Sequence, residues 1–162
     1  MTELQRMAAS VAGRLFERGH TVSVTESSAG GLISAALLAV PGASRYFLGG
    51  GVIYTHKARA VLLGLAEKLP AGMRASTEDY ARLCASTVQA RLATTWGLAE
   101  TGAAGPTGNR YGDAAGHSCI AVVGPVEASA TIETRSADRE ANMWAFSRAA
   151  LALLERCLSE AP

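Results

Sequence analysis

The chain has 162 residues, 49% of them hydrophobic and 18% charged, and its 15 lysines and arginines against 14 acids leave a net charge of +1. That length and composition suit one globular domain, 1–162, and exclude a disordered chain. The even scatter of charge leaves no footprint for nucleic acid or an anionic membrane, and low charge with abundant alanine suits surface hidden in a homo-oligomer.

The first element in chain order is an amphipathic helix carrying Leu4, Met7, Ala8, Val11, Leu15 and Phe16 on one stripe and ending near Gly19. "HTVSVT" follows as a strand, then "ESSAGG", then a buried helix in "GGLISAALLAV" stopped by Pro41 and Gly42. "YFLGGGVIYT" reads as a strand finishing at Tyr54 or Thr55, and "HKARAVLLG" as a short helix closed by Gly64. Ser76, with Glu78 and Asp79 behind it, caps a long helix through about Trp96. "GLAETG" is a strand leading into the glycine-rich "AAGPTGNRYGDAAG"; "HSCIAVVG" and "EASATIETR" pair as a hairpin; Asp138 caps a last helix. Strands interleaved with helices argue an α/β sandwich with a hairpin late in the sheet.

The N-terminus mixes acids and arginines into its apolar positions, so it is neither signal peptide nor anchor. The longest uncharged stretch, Ser27 to Ser44, is broken by glycines and Pro41 and is too short to span a bilayer. Cys84, Cys119 and Cys157 are odd in number and far apart. Reduced, mostly buried thiols in a cytoplasmic protein are expected, with no disulfide framework and no metal site.

Four segments carry candidate chemistry. Ser27 stands where a strand turns into a helix, near orphan N–H groups that would stabilise an alkoxide or an oxyanion; Gly30 and Gly31 would let a substrate approach the backbone. The plainer alternative is a helix cap. Thr101, Gly102 and Gly105 begin a loop whose amides would cradle phosphate or carboxylate, and the alternative is a mobile surface loop. Tyr54, His56, Lys57 and Arg59 cluster at a strand end, where a basic group would activate Ser27 or hold an anion, unless they are only a solvated first turn. Arg139, just inside a helix start, is a candidate anion clamp. His20 and His117 have no partner at metal spacing, and Trp96 and Trp144 lie on apolar faces.

In this order, "ESSAGG" (26–31), "PGAS" (41–44), "YTHKAR" (54–59), "TGAAGPTGN" (101–109) and "SADR" (136–139) resemble the C-terminal domain family of the competence/damage-inducible protein CinA, whose pattern runs ESCTGG, PGSS, YSNEAK, TGIAGPxGG, GDR. The chain looks like a stand-alone version of that module. The resemblance implies a three-layer α/β/α sandwich with a mixed sheet. It also implies hydrolysis of the carboxamide of nicotinamide mononucleotide to the acid and ammonia, with no metal or organic cofactor. In this pattern Ser27 corresponds to the nucleophile, and the turn after it receives the oxyanion while Glu26 orders it. Ser44, Tyr54, Thr101, Gly102, Gly105 and Arg139 fall at nucleotide- or phosphate-binding positions. The family's base lysine falls at Arg59, whose guanidinium, with a pKa above ~12, is a poor proton acceptor. Lys57 lies about 200° round a helix from it, and His56 has an intrinsic pKa better suited to a base. Two classes follow: an amidohydrolase with His56 or Lys57 as relocated base, or a domain that binds a nucleotide or anionic metabolite without turning it over.

Overall fold

The computed structural model describes residues 2–162. Its elements are α1 (Glu3–Arg18), β1 (Val22–Glu26), α2 (Leu32–Leu38), a 3-10 turn (Ala43–Arg45), β2 (Phe47–Val52) and α3 (His56–Ala58), which runs on into a π-helical turn (Arg59–Leu63). Then come α4 (Glu78–Leu92), β3 (Trp96–Ala103), β4 (His117–Val123), β5 (Ala128–Glu133) and α5 (Arg139–Glu160). The five strands form one mixed sheet in the order β2-β1-β3-β4-β5, with β1 parallel to β2 and β3, and β3, β4 and β5 successively antiparallel.

Strand alternation sorts the core into two layers. Val22 and Val24 of β1, Leu98 of β3, and Ile120 and Val122 of β4 face α1, α2 and α5. Ala99, Cys119, Ala121 and Val123 face α4, against Tyr80, Ala81, Ala85 and Val88. The result is the expected three-layer α/β/α sandwich. Burying one Leu, Ile or Val contributes about 1.5–3 kcal/mol, so the larger layer, which holds Leu15, Ile33, Leu37, Leu151 and Leu154, carries most of the stability. The three cysteines are free and buried, as expected.

Local signals act as anticipated at Gly19 and Asp138, and the start of α1 adds a cap not anticipated from the sequence. Thr2 and Gln5 form a capping box on α1, and Gly19 closes it in the left-handed conformation at φ 63°. Asp138 caps α5 by accepting from the Ala141 amide at 3.0 Å. Three boundaries differ. Thr77, not Ser76, caps α4, accepting from the Tyr80 amide at 3.2 Å, while Ser76 itself takes φ 61°. That helix ends at Leu92 rather than near Trp96, because the Trp96 amide donates to Thr21 and starts β3. β2 stops at Val52, and Thr55 instead caps α3 through the Ala58 amide at 3.0 Å. No helix among the described residues is long and apolar enough to cross a membrane.

Candidate active site

Because β1, β2 and β3 run parallel, their carboxyl ends share one edge of the sheet, which is where open α/β sheets bind ligands. The turn after β1, the segment after β2 and the loop after β3 converge there, joined by the start of α5.

Two buried carboxylates build the turn at Ser27. Glu26, 1% exposed, accepts from the amides of Gly31 (3.1 Å), Ile33 (2.9 Å) and Ser34 (2.9 Å). It therefore caps α2 from inside the protein. Glu100, 2% exposed on β3, accepts from the amides of Ser27 (3.0 Å) and Ala29 (2.8 Å), from the Ser118 hydroxyl (2.8 Å) and from the Ser28 hydroxyl. Burial pushes the Glu100 carboxyl up, against the pull of these hydrogen bonds. Gly30 and Gly31 sit at φ 68° and 100°, which lets the chain fold back over Glu26.

This arrangement corrects one expectation. The helix start does not offer free amides to an oxyanion, since Glu26 already takes those of Gly31, Ile33 and Ser34. The Gly30 amide donates to the Ser27 carbonyl at 3.1 Å. From Ser27 to Ser34, the Ser28 amide alone has no partner among the described residues. Glu26, Gly30 and Gly31 lie beneath the turn and shape it.

The Ser27 hydroxyl makes no hydrogen bond among the described residues and lines a polar cavity of about 300 Å³ with Tyr54, His56, Arg59, Thr101 and Gly102. Gly105 and Arg139 line an adjoining cavity of about 200 Å³ that shares Tyr54 and Gly102. Arg139 donates to the Gly105 carbonyl and, at 3.1 Å, to the Tyr54 hydroxyl. Two anticipated residues are not brought in. Ser44 precedes β2, and because β2 is parallel to β1 it stands at the opposite edge of the sheet from Ser27. Lys57 is exposed and lines neither cavity.

Arg59 is 2% exposed. Its Nε donates to the Ala66 carbonyl at 3.1 Å, its Nη2 to that of Glu67, and its guanidinium lies 5.7 Å from the Tyr80 ring centre. It holds the 64–69 segment in place and is no proton acceptor. Tyr80 is no base either, since burial pushes its hydroxyl up to about 12. His56 Nε2 lies 2.6 Å from Arg110 Nη2. Arginine only donates, so Nε2 is the acceptor in this contact.

Several site residues have weak sequence signals. Glu100 was foreshadowed only by an acid inside the apolar run "GLAETG". Asn109, Arg110 and Tyr111 reach the cavity because their loop is tied down: Arg74 pairs with Asp113 at 2.6 and 3.1 Å, and Asn109 donates to Asp113 at 2.8 Å. Those contacts, with Arg74 first, hold the Asp113 carboxyl below its usual range. Buried His117 bonds Glu133 and, at 2.9 Å, the Ser76 carbonyl, a structural role as expected. Among the described residues no three His, Cys, Asp or Glu side chains are grouped to hold a metal ion.

Fold and site together define an α/β/α protein with a mixed five-stranded sheet, a free serine hydroxyl and a polar, arginine-lined cavity at the carboxyl edge. The chain belongs to the CinA C-terminal domain family, whose profile matches residues 4–158. It is 39% identical over 153 residues to a CinA-like protein of Gloeobacter violaceus, covering 93% of this chain and 36% of that protein. It is 40% identical over 118 residues to a CinA-like protein of a Nostoc species, covering 72% of this chain and 28% of the relative. The chain thus spans about a third of the length of these curated relatives. Among solved structures it is similar to a CinA superfamily protein of Klebsiella pneumoniae, with TM-score 0.89, 26% identity, and coverage of 98% of this chain and 99% of that one. A competence/damage-inducible protein of Agrobacterium tumefaciens gives TM-score 0.89 at 25% identity, covering 99% and 98%.

Proposed function

We propose that this protein is a serine amidohydrolase acting on the carboxamide of a nicotinamide mononucleotide-type substrate. The observation that carries the reading is the unpartnered Ser27 hydroxyl at the cavity wall, on a turn fixed by two buried carboxylates. Ser27 Oγ attacks the carboxamide carbon, and His56 Nε2, released from Arg110, takes the hydroxyl proton. The unpartnered Ser28 amide, belonging to the residue after the nucleophile, receives the oxyanion. Collapse of the adduct breaks the C–N bond, and the imidazolium returns its proton to the departing ammonia. Water then attacks the acyl-serine with His56 again as base, giving the acid and free Ser27. Arg139 and the Gly105 loop hold the phosphate. No metal or organic cofactor takes part. With this reading go a cytoplasmic location, where the buried thiols stay reduced, and a homo-oligomeric state.

A second reading, binding without turnover, is favoured by one observation: the side chain at the family's lysine position is an arginine bonded to the carbonyls of Ala66 and Glu67. Ammonia release from nicotinamide mononucleotide separates the two. Turnover by the wild type that disappears in Ser27→Ala and falls in His56→Gln supports the hydrolase. Saturable binding of the mononucleotide with no ammonia released would replace it with the binding domain.

A further inference from the structure

The sheet carries a second cavity on its other side. On β1, alternation sends Val22 and Val24 into the α1/α2/α5 layer and turns Thr25 toward α4. Over β1 and β2 that face is covered only by the end of α4 and the π-helical turn. Gly49 and Gly51 bring no side chains to fill the gap: a Cβ on Gly49 would stand 3.0 Å from the Leu92 Cδ1, and one on Gly51 would stand 3.5 Å from the Ile53 Cδ1. What remains is a cavity of about 380 Å³ floored by these glycines and walled by Leu62, Leu63, Val88 and Leu92, within the size range of small-molecule sites.

Two polar features mark it. Thr25, 2% exposed, forms part of the wall, and its hydroxyl is the one buried side-chain polar atom among the described residues with no hydrogen-bond partner. Such a group is costly unless something satisfies it. Arg91 is the only charged side chain lining the cavity. It spends one nitrogen on the Leu63 carbonyl at 2.7 Å and has no carboxylate partner. Leu62 and Leu92 are 55% and 39% exposed at the mouth. An apolar glycine floor with an exposed arginine at its rim that has no carboxylate partner fits a small amphipathic carboxylate.

We propose that this cavity binds an aliphatic monocarboxylate, its chain on the Gly49–Gly51 floor and its carboxylate on Arg91. Ile53 lines both this cavity and the Ser27 cavity, so an occupant presses on the wall of the active site without entering it. The site does not depend on any chemistry at Ser27.

The test is titration of the whole chain with octanoate, followed by backbone amide shifts, with octan-1-ol as the uncharged control. Octanoate is expected to shift Gly49–Ile53, Leu62–Leu63 and Val88–Leu92 saturably, and octan-1-ol to bind about tenfold more weakly, the loss of one charge-assisted hydrogen bond. Gly51→Val fills the floor and suits an edge strand, so it should fold and abolish the shifts; Arg91→Gln should bring octanoate down to the level of the alcohol. No saturable shift in the wild type, or shifts that survive Gly51→Val, would overturn the proposal. A dimer split by Leu62→Glu, with no octanoate binding, would overturn it in favour of a second copy covering this face.

Discussion

Replacing Glu26 with glutamine tests whether this side chain holds the turn or touches the ligand. The wild-type carboxylate serves three amides, two through Oε1 and one through Oε2. A glutamine of the same shape has one acceptor oxygen. If that oxygen keeps Gly31 and Ile33, the new NH2 group confronts the Ser34 amide, donor against donor. One buried amide is then orphaned, at about 1–3 kcal/mol. The lost negative charge at the start of α2 adds about 0.3–1 kcal/mol, and up to ~2 when buried. The central expectation is a loss of about 3 kcal/mol, or roughly 6–12 °C in midpoint for a chain of this size. Urea denaturation followed by far-ultraviolet circular dichroism, with a thermal scan beside it, reads this directly. The mononucleotide affinity of the folded fraction should be unchanged. A stability loss under about 0.5 kcal/mol, or normal stability with weakened binding, would refute the role as an internal cap.

Other outcomes follow from the same geometry. Arg59→Lys keeps the charge but loses one of two carbonyl contacts, so stability should fall by about 1.5–3 kcal/mol while ammonia release rises, because an amine can deprotonate; unchanged turnover would show that position 59 takes no part in proton transfer. At His117, burial lowers the imidazole pKa, but Glu133, the Ser76 carbonyl and Asp113 outweigh it and leave the group above 6.5. Its contribution to stability is therefore complete below pH about 6.5 and lost as pH rises through the folded value. Denaturation midpoints measured from pH ~6 to ~8 should decline in the wild type and stay flatter in Glu133→Gln; parallel curves would contradict this. Gly97→Ala places a methyl against the Ala85 carbonyl and Gln89 of α4. Pushing α4 off β3 should cost about 1–3 kcal/mol, and a neutral result would mean that α4 packs less closely than described.

What the sequence disclosed was whatever short-range chemistry decides. Gly19, Gly64 and Asp138 end or start helices because backbone conformation and capping are local, and the "HSCIAVVG"/"EASATIETR" alternation survives as β4 and β5. At α4 the cap was expected at Ser76, but the neighbouring hydroxyl of Thr77 takes that role. Long-range partners were out of reach. Nothing near Ser27 announces Glu100, which arrives from 73 residues away. The helix-start amides left the oxyanion reading because Glu26 curls back onto those of Gly31, Ile33 and Ser34, so that of the turn's amides only the one at Ser28 stays open among the described residues. Ser44 left the site once strand direction was fixed, since a parallel β2 puts its preceding turn at the far edge. Arg59 stands where the family lysine stands, yet its longer side chain reaches the carbonyls at 66 and 67.

The Ser27 turn sits outside regular secondary structure, yet its amides are tethered to a carboxylate on the central strand β3. Loop amides ordinarily trade their hydrogens with solvent through small local openings, while those of a central strand wait for cooperative unfolding. Deuterium uptake at Ser27 and Ala29 should therefore track β3 rather than the neighbouring surface segments. The site would then persist or vanish with the sheet, and no partly folded form would present an organised serine.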